Sequence, residues 1–231
     1  MTWIKICGMT SLEDARAAVA AGADAVGFVF WEKSPRNIDP SKAREIVTQL
    51  PEQLEKVGVF VDHSTDDVQR IADKVGLTAV QLHADHYANE TSEILQLGRS
   101  RPGLKLILGC KTAEFINNGS RVVSEEFRKC LYALLFDSGT RQSPGGTGKT
   151  FDWEQALDAV RSAREILPII VAGGLTPTNV RGAIARFQPF GVDVSTGVER
   201  EPGKKDPEKV RAFVQAVHAA DERLVPQGKS V

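Results

Sequence analysis

The sequence predicts a single-domain α/β protein with the (β/α)8, or TIM-barrel, fold. Eight short apolar runs recur along the 231 residues, and helical patterns separate them. Several runs are apolar at consecutive positions, which is typical of parallel strands covered on both faces. Each gap is long enough for the crossover helix that parallel strands require. A doubly wound open sheet is the alternative, but eight similar units without a break in composition favour a closed barrel.

The predicted strands determine which residues reach the mouth of this barrel. They cover residues 3–7, 25–30, 56–61, 79–83, 104–108, 131–137, 169–172 and 191–195. In this fold the active site lies at the carboxyl ends of the strands. The last residue of each strand, or the next one, is therefore a candidate site residue.

Helix start and stop signals lie between the strands. Ser11 is a predicted N-cap, with Asp14 three residues later and Gly22 near the end of the pattern. Thr176 is expected to cap another helix, with Pro177 in its first turn.

Two helical patterns are weaker, at residues 88–99 and 120–129. No linker interrupts the eight units, so we expect one catalytic domain over residues 1–225. Residues 226–231 are expected to form a flexible tail.

Composition excludes several classes of protein. The formal net charge is −1 and no basic stripe is present, which argues against nucleic acid as a partner. No apolar run approaches the roughly 20 residues of a membrane span, and the amino terminus does not resemble a signal peptide. Three cysteines, Cys7, Cys110 and Cys130, do not form a disulfide framework. We expect a reduced, cytoplasmic protein and favour a monomer, although the sequence leaves the oligomeric state open.

The glycine-rich stretch SPGGTGKT, residues 143–150, differs by one letter from a nucleotide-binding P-loop. Ser143 replaces the first glycine of that motif, and the next helix is expected to begin at Asp152. About fourteen residues then separate the strand ending at Asp137 from this helix, more than a phosphate-cradling turn allows. We interpret residues 139–150 as a long rim loop that can act as a lid, although the sequence does not show whether it closes. A surface loop without a role is the alternative.

A phosphate site is predicted after the seventh and eighth strands. Gly173 and Gly174 leave backbone N–H groups accessible beside the start of a helix. Ser195, Thr196 and Gly197 also offer backbone N–H groups, and the first two add hydroxyl groups. A short extra helix is expected at TGVE. Loops at these two places frequently bind phosphate in this fold, because backbone donors and a helix N-terminus suit an anion. Two ordinary turns are the alternative.

Four further side chains are predicted to face the mouth. Cys7 ends the first strand before Gly8, Arg36 follows the second strand, and His83 and Asp137 end the fourth and sixth strands. A thiolate can act as a base when its pKa falls toward the operating pH. Cys7 and Asp137 therefore form a candidate base and acid on opposite faces of one substrate. Arg36 carries a planar fork that suits a carboxylate.

Each of these residues also has a plainer explanation. A cysteine at a strand end is often a buried apolar side chain, and Cys110 follows a strand in the same way. Asp137 could cap or pin a loop, and Arg36 could be a solvated loop charge. His83 fits a hydrogen-bonded rim histidine better than a catalyst.

The ordered set of motifs resembles the phosphoribosylanthranilate isomerases of tryptophan biosynthesis. The motifs are KICGMTSLEDARAAVAAGADAVGFVFWEKSPRNI, VGVFVD, VQLH, LLFDSG…GGTGKTFDW, VAGGLTPTNV and GVDVSTGVEREPGKKDPEKVRAFV. The resemblance runs from about residue 3 to residue 217, and it is poor around residues 98–130.

The resemblance implies a (β/α)8 enzyme without cofactor or metal. Its reaction converts N-(5-phosphoribosyl)anthranilate to 1-(2-carboxyphenylamino)-1-deoxyribulose 5-phosphate. This Amadori rearrangement is an intramolecular oxidoreduction of the aldose–ketose type. On this chain the resemblance implies Cys7 as general base, Asp137 as general acid and Arg36 as the ligand of the anthranilate carboxylate. The glycines of AGGL and the STG turn would bind the phosphate.

This sequence departs from the family pattern at two places. Ala84 stands where the family usually has glycine after the histidine, and we expect this change to reshape the rim slightly. Thr196 stands where serine is common, but it keeps a hydroxyl for phosphate binding.

Three rival functions fit the same fold. The related histidine-pathway isomerase would favour aspartate in place of Cys7. Indole-glycerol phosphate synthase would need a lysine and a glutamate at the rim, and Lys5 lies two residues before the strand end. A non-catalytic barrel that senses a phosphorylated ligand would not need Cys7 and Asp137 together.

Overall fold

Eight parallel strands close into a barrel in sequence order, because the last strand pairs with the first. This computed structural model describes residues 1–83, 91–111, 125–137 and 153–224. The predicted (β/α)8 fold is confirmed. Within these ranges, none of the helices combines the length and apolar character needed to cross a membrane.

The strands alternate with helices along the chain. The barrel strands are β1 Trp3–Cys7, β2 Ala25–Val29, β3 Glu55–Phe60, β4 Ala79–His83, β5 Lys105–Lys111, β6 Ala133–Asp137, β7 Ile169–Val171 and β8 Gly191–Val194. The described helices are α1 Leu12–Ala21, α2 Pro40–Val47, α3 Thr65–Val75, α4 Thr91–Ser100, α5 Glu125–Cys130, α6 Trp153–Arg164, α7 Val180–Phe187 and α8 Pro207–Leu224.

The two weaker helical patterns correspond to α4 and α5. The largest change in a strand is in β5, which continues three residues beyond the predicted end and so includes Cys110. The predicted tail at residues 226–231 and the predicted lid at residues 139–150 lie outside the described residues.

Helix capping follows the sequence closely at α1. The Ser11 side chain accepts a hydrogen bond from the Asp14 N–H, and Gly22 ends the helix in the left-handed conformation at φ 95°.

The predicted start of α7 is wrong. The helix begins at Val180 rather than after Thr176, and Pro177 lies in the turn that precedes it. Asn179 explains the delay, because its Oδ1 accepts from the Thr176 N–H at 2.8 Å and its Nδ2 donates to the Gly174 carbonyl at 2.9 Å. Side-chain bonds of this kind compete with helical backbone bonds.

Alternate residues of the strands form two apolar clusters. The larger cluster packs the outer faces of the strands against the helices. The smaller one fills the barrel and takes Trp3, Val57, Ile107 and Ile170 from the four odd-numbered strands. Barrel interiors of this fold are packed in such layers.

A short hairpin follows β8 and was not predicted. A 3-10 helix at Thr196–Val198 leads into β9 Glu199–Glu201, which pairs antiparallel with β10 Lys204–Lys205. The 3-10 helix confirms the short helix expected at TGVE. The hairpin places Glu199 and Lys205, both buried, beside the barrel mouth.

Candidate active site

Cys7 lies at the carboxyl end of β1 with its side chain in the barrel. It is 7% exposed and packs against Val29 and Val59 of the next two strands. Its register partner on β2 is Gly27. The thiol is therefore at the mouth but shielded from bulk water.

Gly8 brings three parts of the site together. Its φ of 83° is in the left-handed region that favours glycine. A Cβ at this position would lie 2.5 Å from Arg36 Cδ and 3.1 Å from Ser195 Oγ. The end of β1, the segment after β2 and the turn after β8 thus meet at a residue without a side chain.

One pocket joins Asp137 to the predicted phosphate-binding residues. Asp137 is the half-buried last residue of β6. It lines this pocket with the turns after β7 and β8. The described lining residues are Asp137, Ala172, Gly173, Gly174, Leu175, Asp193, Val194, Ser195, Thr196 and Gly197.

The turn after β7 has a shape that only glycine adopts readily. Gly173 and Gly174 have φ values of 85° and 65°. The Asn179 amide fixes the turn through its bond to the Gly174 carbonyl. Gly197 approaches from the turn after β8, and a Cβ on it would collide with the Leu175 carbonyl oxygen. The two turns therefore pack backbone against backbone.

Ser195 adds a polar group between these turns. Its Oγ is buried and has no hydrogen-bond partner among the residues the structure describes. A buried hydroxyl without a partner is uncommon in native proteins and calls for a ligand or water. Backbone N–H groups and a hydroxyl in this arrangement suit a phosphate.

Arg36 reaches across the mouth to the hairpin. Its Nε and Nη2 donate to the two carboxylate oxygens of Glu199 at 2.8 and 2.7 Å. Nη2 also donates to Thr196 Oγ1 at 3.1 Å. The edge of the guanidinium formed by Nε and Nη2 is thus occupied by Glu199.

Glu199 binds a second cation, since Lys205 Nζ lies 2.8 Å from its Oε1. Burial alone would raise the pKa of Glu199, but the hydrogen bonds and charges of Arg36 and Lys205 outweigh it and hold that pKa below its ordinary value. Burial lowers the pKa of Lys205 below its ordinary value, because it outweighs the attraction of Glu199 and Cys7; repulsion by Arg36 adds a smaller decrease.

Burial raises the pKa of the Cys7 thiol above its ordinary value. The positive charge of Lys5 is the main opposing effect, while the Asp193 carboxylate adds to the rise and Lys205 lowers it. Burial thus favours the neutral thiol form of Cys7.

His83 ends β4 on the same rim, where it is half-buried and pairs in register with Gly109. It is not among the described residues that line the pocket with Asp137. Ala84, the departure noted after it, lies outside the described residues.

Several residues of the mouth were missed from the sequence. Glu199 and Lys205 belong to the hairpin, whose only signal is the Pro-Gly pair in EREPGKK. Gln81 and Asp193 lie inside the barrel, where strand patterns predict apolar residues. The sequence signal for Gln81 and Asp193 was a polar residue at a strand position that faces the barrel interior.

The arrangement suits acid–base chemistry on a small anion. Cys7 and Asp137 both end parallel strands of the barrel and so lie on the same rim. Among the described residues, Asp137 lines the pocket with the turns after β7 and β8, whereas Cys7 and Arg36 do not line it. No cluster of three or more His, Cys, Asp or Glu side chains able to hold a metal ion occurs in the described part of the chain.

Comparisons with known proteins give a consistent result. Residues 4–216 match the family model described as N-(5'-phosphoribosyl)anthranilate (PRA) isomerase. A relative of that name from Geotalea uraniireducens is 46% identical over 215 residues, which cover 93% of this chain and 98% of the relative.

Solved structures agree. Phosphoribosyl anthranilate isomerase from Thermotoga maritima is 37% identical, with a TM-score of 0.76 over 95% of this chain and 100% of that one. A complex of such an isomerase with reduced 1-(O-carboxyphenylamino)-1-deoxyribulose 5-phosphate is 35% identical, with a TM-score of 0.74 and the same coverage of 95% and 100%.

Proposed function

The chain belongs to the N-(5'-phosphoribosyl)anthranilate isomerase family, and on that premise we propose how its own residues carry out the reaction. The enzyme isomerises N-(5'-phosphoribosyl)anthranilate to 1-(2-carboxyphenylamino)-1-deoxyribulose 5-phosphate in L-tryptophan biosynthesis. The match over residues 4–216 carries this conclusion. We assign the general base to Cys7 and the general acid to Asp137.

The phosphate of the substrate binds between the turns after β7 and β8. Gly173, Gly174, Ser195, Thr196 and Gly197 line this pocket. We assign the phosphate contacts to their backbone N–H groups and to the hydroxyls of Ser195 and Thr196. The buried Ser195 Oγ without a protein partner supports this assignment within the described ranges. The phosphate fixes one end of the sugar, so that its other end reaches the mouth between Cys7 and Asp137.

The anthranilate carboxylate pairs with Arg36. Glu199 occupies one edge of the guanidinium, so the substrate meets the Nη1 edge. Glu199 thereby fixes the plane of the Arg36 guanidinium and the direction of its remaining N–H donors. His83 is assigned to the same rim as a substrate-binding residue.

Ring opening is the first chemical step. Asp137, protonated, gives its proton to the ring oxygen of the ribose as the bond between C1 and that oxygen breaks. The nitrogen lone pair forms the C1=N bond of an iminium, and Asp137 becomes a carboxylate. General acids of this kind contribute about 10²- to 10⁴-fold to the rate.

Proton abstraction follows. The Cys7 thiolate removes the proton from C2, and the electrons of the C–H bond form the C1=C2 bond of an enolamine while the iminium nitrogen is neutralised. Tautomerisation then places a proton on C1 and removes one from the C2 hydroxyl, which gives the ketone. Cys7 must lose its proton, and Asp137 regain one, before the next turnover.

The assay of the purified chain tests this function. The fluorescence of N-(5'-phosphoribosyl)anthranilate should fall with turnover, and the substrate of the related histidine-pathway isomerase serves as the control. Turnover of the control alone, or binding of phosphorylated ligands without turnover, would overturn the assignment.

We also propose that the enzyme acts in the cytoplasm, as a monomer and without a cofactor. Sedimentation of the purified chain tests the oligomeric state. Exhaustive dialysis against a chelator tests whether the enzyme needs a metal cofactor, and we expect the activity to survive it.

A further inference from the structure

Lys5 is a lysine buried inside the barrel, below Cys7 on the same strand. It is 0% exposed. Its Nζ donates to Gln81 Oε1 and to Asp193 Oδ2, each at 2.9 Å. These partners belong to β4 and β8, so the side chain reaches across the interior of the barrel.

This polar group is unusual for its place. Bulky branched apolar residues dominate the interior of this fold, and Trp3, Val57 and Ile107 follow that rule closer to the amino-terminal end. A buried ion pair is weak evidence for stability, since packed apolar residues often serve as well. The Lys5–Asp193 pair therefore calls for a role beyond packing.

Gly27 brings Lys5 and Cys7 together. It is the register partner of Cys7 on β2. A Cβ on Gly27 would lie 2.7 Å from Cys7 Sγ and 3.1 Å from Lys5 Cε. Both side chains thus fill the space that glycine leaves, and the end of the lysine lies beside the sulfur.

Four charged side chains act on the sulfur. Lys5 comes from β1, Asp193 from β8, Lys205 from β10 and Arg36 from the segment after β2. Lys205 and Arg36 share Glu199, which offsets their charge. Lys5 shares Asp193 in the same way, but it acts on Cys7 more strongly than any of the other three.

We propose that Lys5 is a positioning residue of the reaction, which stabilises the Cys7 thiolate from inside the barrel while Asp193 and Gln81 hold its ammonium in place. This proposal rests on the proposed function, in which Cys7 is the base. The Lys5 ammonium beside the sulfur would explain how a thiol removed from bulk water ionises when the reaction needs a thiolate.

A titration of the Cys7 thiol tests the proposal without using activity. The ultraviolet absorbance of the thiolate is followed against pH, and the same titration after Cys7→Ala is subtracted, so that Cys7 alone remains. We compare the unmodified chain with Lys5→Met, which keeps the length of the stem and removes the charge. The midpoint is expected to rise by about one unit or more, a tenfold or greater loss of thiolate near neutral pH.

Lys56→Met is the matched control. Lys56 is also a buried lysine of a barrel strand, but its Nζ binds the carbonyls of Pro51 and Glu52 instead. Its removal should lower stability and leave the Cys7 midpoint unchanged.

Lys5→Met leaves a buried carboxylate unpaired, so this variant could fail to fold. Lys5→Met combined with Asp193→Asn removes both charges, and its midpoint should still exceed that of the unmodified chain. A folded variant of either kind with an unchanged midpoint overturns the role of Lys5. Full activity of Cys7→Ala would instead overturn the assignment of the base, while the titration would still measure what Lys5 does.

Discussion

Arg36 donates two hydrogen bonds to Glu199, through Nε at 2.8 Å and Nη2 at 2.7 Å. The arginine expected to bind a carboxylate of the substrate thus already binds one of the protein. A bidentate pair fixes the plane of the guanidinium, so Glu199 determines where the remaining donors point.

Glu199→Gln should therefore raise KM more than it lowers kcat. The amide cannot accept two charge-assisted bonds, and the loss of bonds to charged groups is typically about 1.5–3 kcal/mol, at least about tenfold in affinity. Steady-state kinetics measure both constants. Arg36→Ala should show the same pattern more strongly, and an unchanged KM in both variants would contradict the role of this pair.

Cys7→Ala and Asp137→Ala should each lose about 10²- to 10⁴-fold in kcat, because each removes one proton transfer. Circular dichroism and thermal unfolding should show that the barrel survives. Cys110→Ala is the matched control, since Cys110 is also a buried cysteine near a strand end. Near-normal turnover in either of the first two variants would remove that residue from the mechanism.

The pH profile should reveal the buried thiol. The active form needs a thiolate and a protonated carboxyl at once, and burial raises the pKa of Cys7. The kcat/KM of the unmodified enzyme should be flat around neutrality and fall in alkali, above the ordinary thiol pKa of about 8.5.

Asp137→Asn separates the two groups. Its residual kcat/KM should rise about tenfold per pH unit up to the Cys7 pKa, because only the thiolate is then required. Residual activity that is independent of pH would show that the thiol does not act as the base.

Gly197→Ala should weaken substrate binding. The new Cβ would collide with the Leu175 carbonyl oxygen, so the turns after β7 and β8 must move apart. We expect KM, and the inhibition constant of inorganic phosphate, to rise about tenfold, which corresponds to about 1.4 kcal/mol. Gly103→Ala is the control, because a Cβ there meets nothing within 4 Å. Equal phosphate inhibition in both variants would contradict the site.

Glu199 should also stabilise the fold above acid pH. The pKa of Glu199 in the folded protein is held below its value of about 4.3 in the unfolded chain. Its contribution to the free energy of unfolding is therefore fully present above the unfolded pKa and is lost as the pH falls through the folded pKa. Glu199→Gln should lower the Tm at pH 7, and the difference from the unmodified chain should shrink in acid. Glu201→Gln, on the exposed part of the same hairpin, should change the Tm little. A Tm difference between the unmodified chain and Glu199→Gln that grows in acid would contradict this account.

Strand positions were predictable because apolar runs between helical patterns are strong signals. The bounds of Trp3–Cys7 and Ala79–His83 agree with the sequence prediction without change. Placing Cys7 and Asp137 on one rim then followed from the parallel direction of the strands. The start of α7 was less predictable, because the Asn179 side chain competes with the backbone for the Thr176 N–H.

Contacts distant in sequence were not predictable from local patterns. Nothing near Arg36 in the chain indicates Glu199, and their pairing depends on the hairpin after β8. In the sequence, Lys5 is indistinguishable from an ordinary polar residue of a strand. Only the closed barrel brings Gln81 and Asp193 into contact with it.

That closure has a consequence during synthesis. Lys5 and Asp193 are 188 residues apart, so β1 leaves the ribosome long before the strand that completes its surroundings. A nascent chain without β8 has the Cys7 thiol but neither the Asp193 carboxylate nor the turn after β8, which is one of the two turns that we propose bind phosphate. We therefore expect catalysis to begin only after nearly the whole polypeptide has been translated.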